Sequence, residues 1–439
     1  MNKSLFLALG VGALGTLPLT ATTYDLYITG STAFRANVYN ACSKLYDNSA
    51  YSVVYGTSTT GGNSPQGTVA KNTQWTMSGT VSNTIASIGV GNSLSIHAFF
   101  TGSVQGMQTV EQQQPIIFLT ASGNALTNTP TIAFSDVDSS STPYAVPGQY
   151  SDCAQAEVCV QPFVMCKSVA TSASVTNITW GMLRSGIQPG RLPLSIWTHN
   201  TNDHGSYVYL VERTKDSGTR RSELAEVQFP YNQTVGVYLF DNVTNSVFYK
   251  PASGATVIVG AAGNGGANLN WGSGYVAGSD VSAELAYTSP NNQAIAILSL
   301  SDAKSIGTTA AWAQVLPYNG MWPTTNGPAI AGWSGYNDFA PIITGQYPLW
   351  AYEECVYPTV APSSRASGDQ NLSLAQLGDT STTGSVLYTL LAVATSPTAT
   401  PATGSLDAEI QTSKSTGATA VRICDMMSSR ASVGGTITP

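Results

Sequence analysis

The apolar and polar positions near the start of the chain mark a strand followed by a helix. Tyr24-Asp25-Leu26-Tyr27-Ile28-Thr29 reads as a strand, broken at Gly30-Ser31-Thr32-Ala33. Phe34, Val38, Cys42 and Leu45 then recur at helical spacing, with Ser31 or Thr32 as a natural N-cap. The same unit returns: residues 94–100 are strand-like, Thr101-Gly102-Ser103 turns, and 104–112 reads as helix. A third strand, Thr131-Ile132-Ala133-Phe134, ends in Ser135-Asp136. Further on, 177–185 reads as helix. Tyr207, Tyr209 and Val211 alternate in a strand over 206–213, and 220–227 reads as the helix after it.

Between and beyond these units the chain is polar. Residues 56–74 and 260–278 are rich in glycine and small polar residues and read as exposed loops. Residues 294–300 form an apolar, strand-like run, 312–344 is rich in Pro, Gly and Trp, and 396–417 is a Thr/Ser/Ala-rich segment expected to be exposed and flexible. Strands alternating with helices predict an α/β fold with largely parallel sheets. A chain of 439 residues suits two lobes rather than one core.

Composition narrows the function. Charged residues make up only 9% of the chain and the net charge is −7, with no Lys/Arg cluster of the kind that tracks nucleic acid. Lys3, the apolar run 5–19 and Thr20-Ala21 read as a secretory signal cut after Ala21, too short and too interrupted by Gly and Pro for a membrane span. The protein is therefore expected in the periplasm or outside the cell, where six cysteines suggest disulfides. Sequence does not choose among their pairings, but a local loop within Cys153, Cys159 and Cys166 is the favoured one; their spacing does not suit zinc.

Chemistry concentrates at four strand ends: Ser31 with Thr32, Thr101 with Ser103, Ser135 with Asp136, and Arg213 with Ser217-Gly218-Thr219. Ligands of open α/β sheets collect beyond the carboxyl ends of strands. The last group is well suited to an oxyanion, since a helix N-terminus offers unpaired N–H groups and arginine adds a planar fork. Each fragment also has a bland explanation. Gly-Ser-Thr is a common helix cap, Ser-Asp a common turn, and Arg213 a candidate surface partner for Glu212 or Asp216.

Taken in order, the four groups resemble the periplasmic phosphate-binding proteins of ABC transporters, with their type II periplasmic-binding-protein-like fold. Gly30-Ser31-Thr32-Ala33 looks like the first ligand loop and Thr101-Gly102-Ser103-Val104-Gln105-Gly106 like the glycine-serine loop on a helix, with less glycine than is usual there. Ala133-Phe134-Ser135-Asp136 looks like the strand ending in an aspartate ligand, and Arg213 stands at the family's spacing from Ser217-Gly218-Thr219. Weaker echoes lie in 183–194, 294–301 and 347–357.

The resemblance implies two lobes closing on phosphate or a related oxyanion, bound by Ser31, Thr32, Ala33, Thr101, Ser103, Asp136, Arg213, Ser217, Gly218 and Thr219, with no cofactor or metal. It also implies an ABC transporter membrane component as partner. On this reading 1–21 is the signal peptide, 22–145 the first part of lobe 1, and 146–315 lobe 2. Residues 316–439 hold the return to lobe 1 and the C-terminal segment, with hinges near 139–154 and 312–344. Extra loops and a longer C-terminus depart from the family and leave a structural or adhesive surface protein as the alternative. Enzymatic readings find little footing. His199, Asp203 and His204 lie in a polar stretch without a further ligand motif, and no Gly-x-Ser-x-Gly elbow occurs. Glu353 and Glu354 are adjacent, so on a strand they face opposite sides, and paired acid–base work is not expected.

Overall fold

The computed structural model describes residues 21–56, 73–138, 142, 153–231, 233, 235–241, 246–250, 274–275, 277–286, 293–303, 306, 314–325, 339–359, 372–403, 405–414, 419–430 and 436–438. The signal-like segment 1–20, most of the loops expected over 56–74 and 260–278, and much of both hinge regions lie outside these residues.

Strand β1 (Thr23–Gly30) is buried from Leu26 onward and feeds helix α1 (Arg35–Ser43), which turns Val38, Ala41 and Cys42 into the core. The cap expected from Ser31 or Thr32 is not made. The capping position is Phe34, with no side-chain bond, because a full turn of chain separates those hydroxyls from the helix start. Next come β2 (Tyr46–Tyr55), β3 (Gln74–Val81), β4 (Ser93–Phe99), α2 (Ser103–Glu111), the hairpin of β5 (Ile116–Leu119) and β6 (Ala125–Asn128), and β7 (Ile132–Ser135). A long strand, β8 (Cys153–Lys167), follows.

The second half contains α3 (Trp180–Ile187), capped by the Thr179 hydroxyl, then β9 (Arg191–Pro193), α4 (Ser195–Thr198), β10 (Tyr207–Leu210) and α5 (Gly218–Glu226). After these run β11 (Val237–Asp241), β12 (Ser246–Lys250), α6 (Gly278–Leu285), β13 (Ala294–Ser299), α7 (Leu300–Ala303), β14 (Val315–Leu316) and α8 (Ala340–Ile343). The chain returns through β15 (Trp350–Pro358) and closes with α9 (Leu374–Leu377), α10 (Val386–Leu391) and α11 (Leu406–Ser413).

One mixed sheet runs through the molecule in the order β2-β3-β4-β1-β7-β15-β8-β13-β10-β9, with β14 beside β8. Its parallel pairs are β1 with β4 and β7, and β10 with β13; these strands are followed by the candidate loops, while the flanking pairs are antiparallel. Strand β8 serves both halves. Its first part, to Pro162, pairs with β15, and its last, from Phe163, pairs with β13. The result is a two-lobed α/β fold whose lobes share the backbone of β8.

Two expectations fail for physical reasons. Cys153, Cys159 and Cys166 lie along the single strand β8, and none of the six cysteines is joined in a disulfide. An extended strand advances about 3.3 Å per residue. Neighbours in that set are therefore roughly 20 Å apart, well beyond the ~7 Å Cα separation a disulfide tolerates. The segment 396–417 is also less loose than its composition suggests. Leu406 and Ile410 share a face of α11 and are buried, and Asp407 holds the buried Arg422 at 2.7 Å. That pair stands in for packing that Thr and Ser do not supply.

Candidate anion-binding site

The strand ends meet through unusually close backbone contacts. Gly30 takes φ = 110°, and a Cβ there would lie 2.0 Å from the Phe134 carbonyl oxygen, so only glycine lets β1 end against β7. The Ser31 N–H donates to that carbonyl at 2.7 Å. Helix α2 presses Gly106 onto Gly30, and the Gly102 N–H donates to the Gly30 carbonyl at 2.9 Å. Three loops of the first lobe are thereby held at one point, with Ser31, Thr32, Ser103 and Asp136 all buried.

The second lobe brings the other group to them. Arg213 is buried, not a surface arginine: its Nη2 donates to Thr32 Oγ1 at 2.9 Å and its Nε to the Tyr275 carbonyl at 3.2 Å. The partners considered for it are taken by others, Glu212 by Arg220 at 4.0 Å and Asp216 by Lys215 at 3.0 Å. Arg220 also braces the arginine from behind, donating Nη1 to the Arg213 carbonyl at 2.8 Å. Ser217 is the N-cap of α5, its hydroxyl oxygen accepting from the Arg220 N–H, which leaves its own proton to be donated elsewhere. Gly218 and Thr219 open the helix and are buried.

Asp136 is where the lobes touch. Its Oδ1 accepts from Ser103 Oγ, and its backbone carbonyl faces Ser222 Oγ of α5 at 3.5 Å. A Cβ on Gly218 would fall 1.3 Å from Asp136 Oδ1 and 2.6 Å from Ser103 Oγ. The Val104 N–H, in the first turn of α2, donates to the Asp216 carbonyl at 3.1 Å. Burial raises the Asp136 carboxyl above its ordinary value, opposed by the Ser103 hydroxyl and the Arg213 charge. Burial likewise lowers Arg213, opposed by Asp302, Asp136 and Asp280. Two expected members are placed differently: Thr101 is half-buried with its hydroxyl on that of Thr29 at 3.2 Å, and Ala33 contributes a carbonyl that accepts from Ser301 Oγ at 3.4 Å.

The Gly218 contact gives a direct prediction. Gly218→Ala puts a methyl on the Asp136 carboxylate, and overpacking of this kind costs about 1–3 kcal/mol. Calorimetric titration with phosphate should show affinity falling by that amount. Equal affinity in both proteins would mean that a bound state does not need this approach.

Sequence reasoning missed the groups around Arg213. Arg35, at the start of α1, donates Nη1 to the Thr32 carbonyl and pairs through Nη2 with Asp302 Oδ1 at 3.1 Å, an ion pair buried between the lobes. Asp302 Oδ2 accepts from Ser299 Oγ at 2.9 Å and lies against Gly278 at the start of α6. Tyr275 bridges to Arg213, so the end of the glycine-rich 260–278 stretch is not merely loop. Asp280 is pushed up to about 6 by burial, which the Ala277 N–H, Arg213 and Arg35 oppose. One signal for Asp302 was available: Ser301-Asp302 follows a strand just as Ser135-Asp136 does.

No family model matches the chain, and no curated protein matches it by sequence. Among solved structures it is similar to a protein from Clostridium perfringens described as a phosphate ABC transporter substrate-binding protein with bound phosphate: 11% identity over 80% of this chain and 90% of the other, TM-score 0.39. It is also similar to an ABC-type phosphate transport receptor from Vibrio cholerae, 14% identical over 79% of this chain and 90% of that one, TM-score 0.35. A phosphate-binding protein from Stenotrophomonas maltophilia is 15% identical over 77% and 79% of the two chains, TM-score 0.33. All three of these solved structures are described as phosphate-binding or phosphate-transport proteins, two of them as belonging to ABC-type transport.

Proposed function

We propose that the chain is an exported, non-enzymatic binding protein that captures phosphate or a related oxyanion between its lobes, for delivery to the membrane component of an ABC transporter. The observation that carries this reading is the meeting of Arg213 and the α5 N-terminus with Thr32, Ser103 and Asp136 across the lobe boundary. Arg213 supplies a charge-assisted fork, the hydroxyls of Ser31, Thr32, Ser103, Ser217 and Thr219 supply neutral donors, and Thr101, Ala33 and Gly218 shape the loops that present them. Asp136 sets the selectivity, because a carboxylate beside an oxyanion is tolerated when the ligand keeps a proton to donate. Hydrogen phosphate has that proton at neutral pH and sulfate lacks it.

Ligand that binds only the folded state stabilises it by RT ln(1 + [L]/Kd), about 2.7 kcal/mol at a hundredfold excess over Kd. Millimolar phosphate should therefore raise the melting temperature of the purified protein. Silence toward phosphate, sulfate and arsenate alike would favour a structural or adhesive surface protein that keeps the fold.

A further inference from the structure

Glu353 sits behind the anion site in a position that the site as described does not use. Glu354 of β15 pairs with Ser135 of β7, and Asp136 follows Ser135 directly, near enough for its charge to act on Glu353. Its neighbour on the other side is Cys159 of β8, where the register shifts by one residue. Glu353 has no exposed surface, and neither of its carboxyl oxygens has a hydrogen-bond partner.

The titratable groups facing it are Asp136 from the end of β7, Cys159 from β8, and Glu354 and Cys355 from its own strand. None of these carries positive charge. Burial first, and the Asp136 charge second, push the Glu353 carboxyl well above its ordinary range, which favours its neutral form. The Ser31 hydroxyl lies within reach of both Glu353 and Asp136 and completes a hydrogen bond to neither. A neutral carboxyl group has one proton to donate, and Ser31 Oγ is the hydroxyl placed to accept it.

We propose that Glu353 is a positioning residue: as a carboxylic acid it donates to Ser31 Oγ, and so commits the Ser31 proton to the anion site. The proposal rests on the anion-binding reading above and deepens it. With Ser31 fixed as a donor, the ligand must present a bare oxygen there and its own proton to Asp136. That selects a monoprotonated tetrahedral oxyanion in one orientation. Once rising pH ionises Glu353, the Ser31 proton turns back to the new carboxylate and the ligand oxygen faces a lone pair. Affinity is therefore highest while Glu353 is protonated and falls as it ionises.

Two measurements on the full chain test this. Infrared difference spectra between the wild type and Glu353→Gln at neutral pH should show a protonated-carboxyl C=O band in the wild type. That band should shift upward in Ser31→Ala, which removes its acceptor. No such band, or one indifferent to Ser31→Ala, overturns the proposal whether or not phosphate binds. Calorimetric titration with inorganic phosphate from pH 6 to 10 is the second test. Glu353→Gln keeps a donor at every pH, and a hydrogen bond to a charged group is worth about 1.5–3 kcal/mol. Wild-type affinity should therefore fall roughly 10–100-fold relative to the variant as Glu353 ionises. Parallel pH profiles across the pH at which the infrared band disappears overturn the positioning role. A wild type that takes up no phosphate at any pH defeats the functional reading instead, and the infrared result still decides where the proton sits.

Discussion

Arg213→Ala is expected to weaken phosphate binding by about 2–5 kcal/mol, the cost of removing one partner from a buried charged contact. The expectation follows from how the side chain is held. Its Nε is anchored on the Tyr275 carbonyl within the second lobe, while Nη2 crosses to Thr32 of the first. The fork is thus preorganised before any ligand arrives, and little side-chain entropy remains to be lost on binding. Truncation also leaves Asp136, Asp280 and Asp302 facing one another with less positive charge among them, so the unliganded protein should lose stability as well. The two effects separate experimentally. Titration calorimetry reports affinity for the folded fraction, and thermal melting without phosphate reports the fold. Arg213→Lys keeps the charge but not the planar fork and should recover part of the stability and little of the affinity. An Arg213→Ala protein that folds and binds phosphate as tightly as the wild type would remove Arg213 from the site.

How far the sequence revealed this arrangement depended on the range of the interactions. The strand–turn–helix units were legible because each depends on local periodicity and local turn chemistry. Strands and helices β1, β4, α2, β7, β10, α5 and β13 lie close to their expected positions. Arg35 was not legible. It looks like any first-turn helix residue, and its burial depends on Asp302, 267 positions later. Glu353 hid in the same way. Alternation predicts opposite faces for it and Glu354, but a register shift falls between the two, and the rule says nothing of Asp136. Strand β8 escaped notice because residues 158–166 are buried on both faces and lack the alternation that marks a half-buried strand. The cysteine expectation failed for a related reason. Proximity in sequence suggests a loop only where the chain turns, and an extended strand carries near neighbours apart.

Asp136→Asn should collapse the preference for phosphate over sulfate. A buried site built to pair with a ligand hydroxyl rejects the analogue lacking it by several kcal/mol, roughly 10⁴-fold in favourable cases. In this protein the discriminating geometry is tight. Asp136 Oδ1 accepts from Ser103 Oγ and lies where a Gly218 side chain would be, which leaves the other carboxylate oxygen to take the ligand's proton. Asparagine can keep the Ser103 contact through its carbonyl oxygen while presenting N–H in place of the second acceptor. A sulfate oxygen then meets a donor instead of a negative charge, and hydrogen phosphate loses the partner for its proton. The absolute affinity for each anion also responds to the removed charge, so the ratio of the two isolates the proton's contribution. Titrations of wild type and variant with both anions at neutral pH give that ratio. If it is unchanged, selectivity does not come from Asp136, and the resemblance of Ala133-Phe134-Ser135-Asp136 to a phosphate-binding strand is a likeness of sequence without the chemistry.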